Sequence, residues 1–201
     1  MDIKICGIRR TEDIEIVNKY KPEYIGFIFA PTRRYVSPEF AAELKSRLAD
    51  GIKAVGVFVN EDPETVLEIA KTVPLDVIQL HGDEDEEYIK SLGHVYGIWK
   101  AVRLNGGEEI PEIEGADRIL LDKYDANEYG GIGETFDWSA GAEVKGKIPV
   151  MLAGGLKREN VSRGIEIFNP AGVDVSSGVE TDGIKDEDKI REFIKTVRGQ
   201  I

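Results

Sequence analysis

Eight short apolar runs, spaced almost evenly along the chain, constrain this sequence more than any other feature. They are IKIC (3–6), YIGFIF (24–29), AVGVFV (54–59), DVIQL (76–80), GIWKAV (97–102), RILLD (118–122), PVMLAG (149–154) and GVDVSS (172–177). Each run is close to continuously hydrophobic rather than alternating, as strands are when helices cover them from outside and neither face meets water. Between most of them lie amphipathic segments that carry helix-start signals. TEDIEIVNKY opens on Thr11 as an expected N-cap with acids in its first turn, and SPEFAAELKSRL has Ser37 as N-cap with Pro38 at the first helical position. EDPETVLEIAKTV, DEDEEYIKSL, KRENVSRGIEIF and KDEDKIREFIKTV follow the same pattern.

A strand, a helix and two short loops take about 25 residues. Eight such units need roughly 200 on that basis, and the chain has 201. The expected fold is therefore α/β: a single compact (β/α)8 TIM barrel with parallel strands, one domain spanning residues 1–201. A doubly wound open sheet shares the alternation and stands as the structural alternative. The fifth connection, RLNGGEEIPEIEGAD, contains Pro111 and paired glycines and is expected to hold at most a short helix. The sixth, after FDWSAGAEVKG, is also short.

The charge balance narrows the partners. A net charge of −12 and a pI near 4.8 leave no basic footprint for nucleic acid. They leave room for a small phosphate ligand, because backbone amides bind phosphate whatever the net charge. One cysteine cannot form an internal disulfide, which points to a reducing compartment and a cytoplasmic location. No signal-peptide pattern is visible, and no apolar run approaches the ~20 residues of a membrane helix, so no membrane association is expected. Two well-separated histidines and the lone cysteine make no zinc-like cluster, so a small non-metal protein is expected.

In such a barrel the C-terminal strand ends share one rim, and chemistry belongs there. Gly154 and Gly155 follow the seventh run, and Ser177 and Gly178 follow the eighth. Both loops offer unobstructed backbone N–H groups where barrels commonly hold phosphate, although each could be no more than a tight turn. Asp122 ends the apolar run RILLD, where an acid must be paired or put to use. Asp137 in TFDWS reads as a helix cap, and Asp174 in GVDVSS is open between structure and site. Arg33 and Arg34 lie on a loop expected to overhang the rim, where a guanidinium can clamp a carboxylate or simply be solvated. Cys6 ends the first run, directly before Gly7. A buried cysteine is often only packing; at this place it is also positioned to move a proton, if its surroundings favour the thiolate.

Taken in order, KICGI (4–8), GFIFAPTRRYVSP (26–38), VGVFVNEDPE (55–64), IQLHGDE (78–84), ILLD (119–122), YGGIGETFDWS (129–139), LAGGLKRENV (152–161) and VDVSSGVE (173–180) resemble the phosphoribosylanthranilate isomerase family of tryptophan biosynthesis. The resemblance spans essentially the whole chain. It implies an Amadori rearrangement of N-(5′-phosphoribosyl)anthranilate to 1-(2-carboxyphenylamino)-1-deoxyribulose 5-phosphate, without a metal or organic cofactor. It also implies that Asp122 is the general acid, Cys6 the general base and Arg34 the arginine that holds the anthranilate carboxylate, with Gln79 and His81 lining the pocket. A small phosphosugar substrate is the expected partner. Apolar rim or loop positions are compatible with a homodimer without defining one.

Two alternatives share the scaffold. One is a dual-substrate aminoaldose isomerase that also serves histidine biosynthesis; its bisphosphate substrate calls for a second phosphate cradle, and only Arg33 and Arg34 are available on that side. The other is a non-enzymatic barrel, which would tolerate loss of the rim acid and thiol that this chain retains.

Overall fold

A computed structural model describes residues 1–93, 95–104, 111–123 and 148–199. Eight parallel strands close into a barrel in sequence order: β1 Asp2–Cys6, β2 Tyr24–Ile28, β3 Lys53–Phe58, β4 Val77–Leu80, β5 Gly97–Leu104, β6 Arg118–Lys123, β7 Val150–Leu152 and β8 Gly172–Val175. β8 returns to β1 with Asp2 opposite Gly172 and Ile5 opposite Val175. That closure excludes the open-sheet alternative. All eight apolar runs became strands; the seventh and eighth stop earlier than expected, and the residues that follow them become rim loops.

The continuous hydrophobicity has a simple cause. One side of each strand faces the helices, and Ile3, Ile5, Ile25, Phe27, Ile78, Leu80, Ile119, Leu121 and Val173 belong to that outer core. The other side faces the barrel axis, where Tyr24, Val55, Val77, Trp99, Leu120 and Met151 form a second, smaller core. Tyr24 and Trp99 meet edge to face at 4.8 Å, and the Arg118 guanidinium lies over both rings while pairing with Asp2 at 2.7 Å. The residues that carry these contacts start β1, β2, β5 and β6, so this end of the barrel is plugged and the polar groups collect at the other.

The outer helices are α1 Thr11–Tyr20, α2 Pro38–Ser46, α3 Pro63–Thr72, α4 Glu86–Ser91, α5 Arg158–Phe168 and α6 Glu187–Val197. Ser37 accepts from the Phe40 N–H, Asp62 from Thr65, Asp85 from Tyr88 and Asp186 from Lys189, which satisfies amides left open by each first turn. At α1 the expected N-cap Thr11 is instead the first helical residue. Asp13, two residues into the helix, reaches back and accepts from the Arg9 and Arg10 N–H groups at 3.0 and 3.1 Å, so its carboxylate fixes the chain where it enters the helix. None of residues 111–117, the described part of the fifth connection, is helical. The sixth connection and Asp137 lie outside the described residues. Among the described residues, no helix is long and apolar enough to cross a membrane.

One unexpected element follows β8. A 3-10 turn at Ser177–Val179 leads into a two-stranded antiparallel hairpin, β9 Glu180–Thr181 and β10 Ile184–Lys185, before α6 begins. Its two turn residues, Asp182 and Gly183, both have positive φ (52° and 76°). Asp-Gly is the pair such a tight turn favours.

Candidate active site

At the polar end of the barrel the strand termini enclose a cavity of about 650 Å3, and Cys6, Arg34, Gln79, His81, Asp122, Gly154, Gly155 and Ser177 all line it. Gly178 does not. It lies in an adjoining depression beside Lys157, Arg158 and Lys189, packed so closely on the Leu156 carbonyl that a Cβ would collide with backbone. Its contribution is to let the Ser177 turn pack against the loop after β7.

The order of strands arranges the groups. Asp122 sits on β6 and Cys6 on β1; between them stand β7 and β8, whose loops carry Gly154, Gly155, Ser176 and Ser177. Gly154 and Gly155 both adopt positive φ, 80° and 72°, a conformation open to glycine at no steric cost.

Cys6 is 7% exposed. Burial is the main influence on its thiol and pushes the pKa up; Asp174 adds to that, while Lys4 and Lys185 oppose it. Burial thus favours the thiol, while the two lysines favour the thiolate that a base requires. Space around the sulfur comes from β2, where a Cβ on Gly26 would lie 2.7 Å from Cys6 Sγ. The glycine that follows Cys6 in sequence also has a steric role: a Cβ on Gly7 would lie 2.7 Å from Arg34 Cδ.

Arg34 is buried, and it already clamps a carboxylate, but one of the protein's own. Its Nε and Nη2 donate to the two oxygens of Glu180 at 2.8 and 2.9 Å. Lys185 Nζ donates to the same carboxylate at 2.8 Å and to the Ser176 carbonyl at 3.0 Å, and the Ser176 hydroxyl donates to the Cys6 carbonyl. Burial alone would raise the Glu180 pKa, yet Arg34 and Lys185 outweigh it and hold the group at about 2. Arg33, by contrast, is largely exposed and stands 3.7 Å from Glu180.

On the β4 and β6 side a second set of contacts runs inward from the rim. His81 Nε2 is 3.0 Å from Asp122 Oδ2 and His81 Nδ1 is 2.9 Å from Gln79 Nε2. Gln79 Oε1 accepts from Lys4 Nζ at 2.8 Å, and Lys4 also pairs with Asp174 Oδ2 at 2.8 Å. The other oxygen, Asp174 Oδ1, is buried without a hydrogen-bond partner among the described residues. Asp174 lines the cavity as well, so the position left open by sequence belongs to the site. Among the described residues no three His, Cys, Asp or Glu side chains converge as metal ligands would.

Sequence reasoning missed Lys4, Glu180 and Lys185. The signal for Lys4 was present: a lysine inside the buried run IKIC, two residues before Cys6 and so on the same face of the strand. For Glu180 and Lys185 the signal was the Asp-Gly hairpin turn, which brings them side by side.

A (β/α)8 barrel whose rim joins a carboxyl group, a thiol and a glycine-lined loop pair in one cavity is the architecture of a barrel enzyme with its site at the C-terminal strand ends. The family described as N-(5′-phosphoribosyl)anthranilate (PRA) isomerase matches residues 3–196. The chain is 52% identical to the N-(5′-phosphoribosyl)anthranilate isomerase of Clostridium acetobutylicum over 98% of this chain and 97% of that one. It superposes on phosphoribosylanthranilate isomerase of Thermotoga maritima with a TM-score of 0.87 at 37% identity, covering 99% of each chain; structures of monomers made from that dimeric enzyme match at 0.84. A phosphoribosylanthranilate isomerase in complex with reduced 1-(o-carboxyphenylamino)-1-deoxyribulose 5-phosphate also matches, with a TM-score of 0.84, 35% identity and 99% of each chain covered. The chain belongs to the phosphoribosylanthranilate isomerase family. It is an isomerase of tryptophan biosynthesis.

Proposed function

We propose that the whole chain works as one barrel domain and that the cavity performs the Amadori rearrangement with Asp122 as acid and Cys6 as base. Asp122 gives a proton to the ribose ring oxygen of N-(5′-phosphoribosyl)anthranilate, the C1′–O bond breaks, and an open-chain iminium forms. Cys6, as thiolate, takes the C2′ proton; the electron pair left behind forms an enolamine, which tautomerises to the ketone. The observation that carries the reading is the order of strands: the acid on β6 and the thiol on β1 flank the two loops suited to hold the 5′-phosphate. A phosphate held there presents the sugar to both groups.

Gly154, Gly155 and Ser177 supply the phosphate cradle, with Gly178 shaping it from behind. Arg34 meets the anthranilate carboxylate with the part of its guanidinium that faces the cavity, while Glu180 fixes the rest. Gln79 and His81 line the sugar pocket, and the buried Asp174 Oδ1 supports the reading that a substrate hydroxyl donates to it, since a carboxylate oxygen buried without a partner is costly. The reaction runs in the cytoplasm. A homodimer is supported by the dimeric Thermotoga maritima relative and by Tyr35 and Phe40, large apolar side chains exposed beside the loop that follows β2.

The test is turnover of freshly generated phosphoribosylanthranilate, followed by loss of its fluorescence in the presence of EDTA, with Asp122→Asn and Cys6→Ala alongside. Rapid wild-type turnover that collapses in both variants is the expected result. Wild-type turnover retained in either variant overturns the role assigned to that residue. Sedimentation velocity at micromolar concentration checks the dimer.

A further inference from the structure

The amide of Gln79 can be oriented only one way. Lys4 Nζ is a donor and nothing else, and it lies 2.8 Å from Gln79 Oε1 and 2.8 Å from Asp174 Oδ2. Burial alone would favour loss of the Lys4 proton, yet Asp174 and Cys6 outweigh it and raise the pKa above the ordinary lysine value. The oxygen of the Gln79 amide is therefore pinned toward β1, and its NH2 group is turned toward His81. That NH2 can only donate, and it lies 2.9 Å from His81 Nδ1. Nδ1 must accept, so it carries no proton. The ring proton of neutral His81 is then on Nε2, 3.0 Å from Asp122 Oδ2, where it donates to the carboxylate.

A second ring proton would have to sit on Nδ1, pointing into the N–H bonds of Gln79. We propose that Lys4 and Gln79 lock His81 in its neutral Nε2–H tautomer, so that a proton taken up from solvent by the His81–Asp122 pair resides on the Asp122 carboxyl group. This rests on the reading of Asp122 as the acid. An ordinary histidine is the stronger base of such a pair by about two pKa units, and left free it would take the proton and leave Asp122 ionised. In this role Lys4 and Gln79 are positioning residues acting through His81.

Among the described residues, the other charged groups around the ring do not supply a rival acceptor for Nδ1. Asp122 faces Nε2 from β6, Arg103 on β5 donates to the His81 backbone carbonyl at 2.8 Å, and Asp174 on β8 is paired with Lys4. Arg34 and Cys6 share the cavity, and neither offers a carboxylate.

Nitrogen-15 NMR of histidine-labelled protein reads the tautomer directly. The sequence has two histidines, so a His94→Gln variant leaves a single ring to observe. The expected wild-type spectrum shows a protonated Nε2 and an unprotonated Nδ1 at pH 7 and at pH 6. Gln79→Glu places an acceptor opposite Nδ1, and Gln79→Met removes the donor; in both, the imidazolium is expected at pH 6. Their kcat should fall at least tenfold, and the pH profile of kcat should move. An Nδ1–H tautomer or an imidazolium in the wild-type protein at pH 7 overturns the proposal, as does a ring that stays neutral at pH 6 in a folded Gln79 variant. If Gln79→Glu does not fold, Gln79→Met and the wild-type spectrum decide. Activity retained by Asp122→Asn would remove the catalytic reading while the tautomer measurement stood, so the two failures are distinguishable.

Discussion

Arg34, on the loop after β2, and Glu180, at the start of the β9–β10 hairpin, join the two ends of the chain through two parallel hydrogen bonds of 2.8 and 2.9 Å. Lys185 adds a third, so one carboxylate organises the guanidinium that faces the cavity and the hairpin behind the Ser176–Ser177 loop.

This arrangement makes stability depend on pH in a defined window. The folded-state pKa of Glu180 is about 2 against 4.5 for the free group. A depressed acid stabilises the fold above its unfolded pKa, and that contribution is lost as pH falls from about 4.5 toward 2. The shift corresponds to at most about 3 kcal/mol. Urea midpoints of wild type and Glu180→Gln should differ most above pH 5 and converge near pH 2. A difference that is constant across that range would show that Glu180 does not titrate as the geometry requires.

Asp122→Asn keeps the size of the side chain and removes its acidity. An acid–base group contributes typically ~10²–10⁴-fold, and kcat should fall by that factor while binding of the reduced product analogue changes by less than about threefold on the same argument. Steady-state kinetics together with calorimetric binding separates the two effects.

The Cys6 thiol, whose pKa burial pushes up, should react with iodoacetamide at least tenfold more slowly at pH 8 than a free cysteine, whose pKa is about 8.5. Mass spectrometry of the time course measures this. Cys6→Ser should cut kcat by 10²-fold or more, because a hydroxyl is a far weaker base at neutral pH. A fast-alkylating Cys6 would contradict the burial that sets its protonation.

Gly178 tests the cradle without touching the acid or the thiol. Gly178→Ala drives a Cβ into the Leu156 carbonyl, and overpacking of this kind costs about 1–3 kcal/mol. The variant should lose stability by that amount in urea and should bind inorganic phosphate, measured as a competitive inhibitor, several-fold more weakly. Unchanged phosphate inhibition would remove the Ser177–Gly178 turn from the cradle.

Much of the site could be read in the sequence because it sits where short-range patterns end. Cys6, Gln79, Asp122 and the Gly154–Gly155 pair all lie at or just past the last apolar residues of a run, and closure of the barrel brings those positions to one rim. The Glu180–Arg34 pair could not be read in this way, because its members are 146 positions apart and no local pattern links them. Arg34 itself shows the difference. Its residue type announced a bidentate carboxylate clamp, but only the folded chain shows that Glu180 occupies that clamp.

The sequence by itself determined the alternation, eight two-sided apolar strands with amphipathic connections in 201 residues; that the sheet closes rather than stays open was decided by the pairing of β8 with β1. It also determined which residue types stand at the rim, because strand ends are local features. Tertiary structure alone decided how the polar groups of the site are connected. Lys4, Gln79, His81 and Asp122 come from three strands and the loop after one of them, and the donor and acceptor roles along that line are set by who faces whom across the barrel axis. Periodicity can place a side chain on a face, but the direction of a hydrogen bond depends on a partner that only folding supplies.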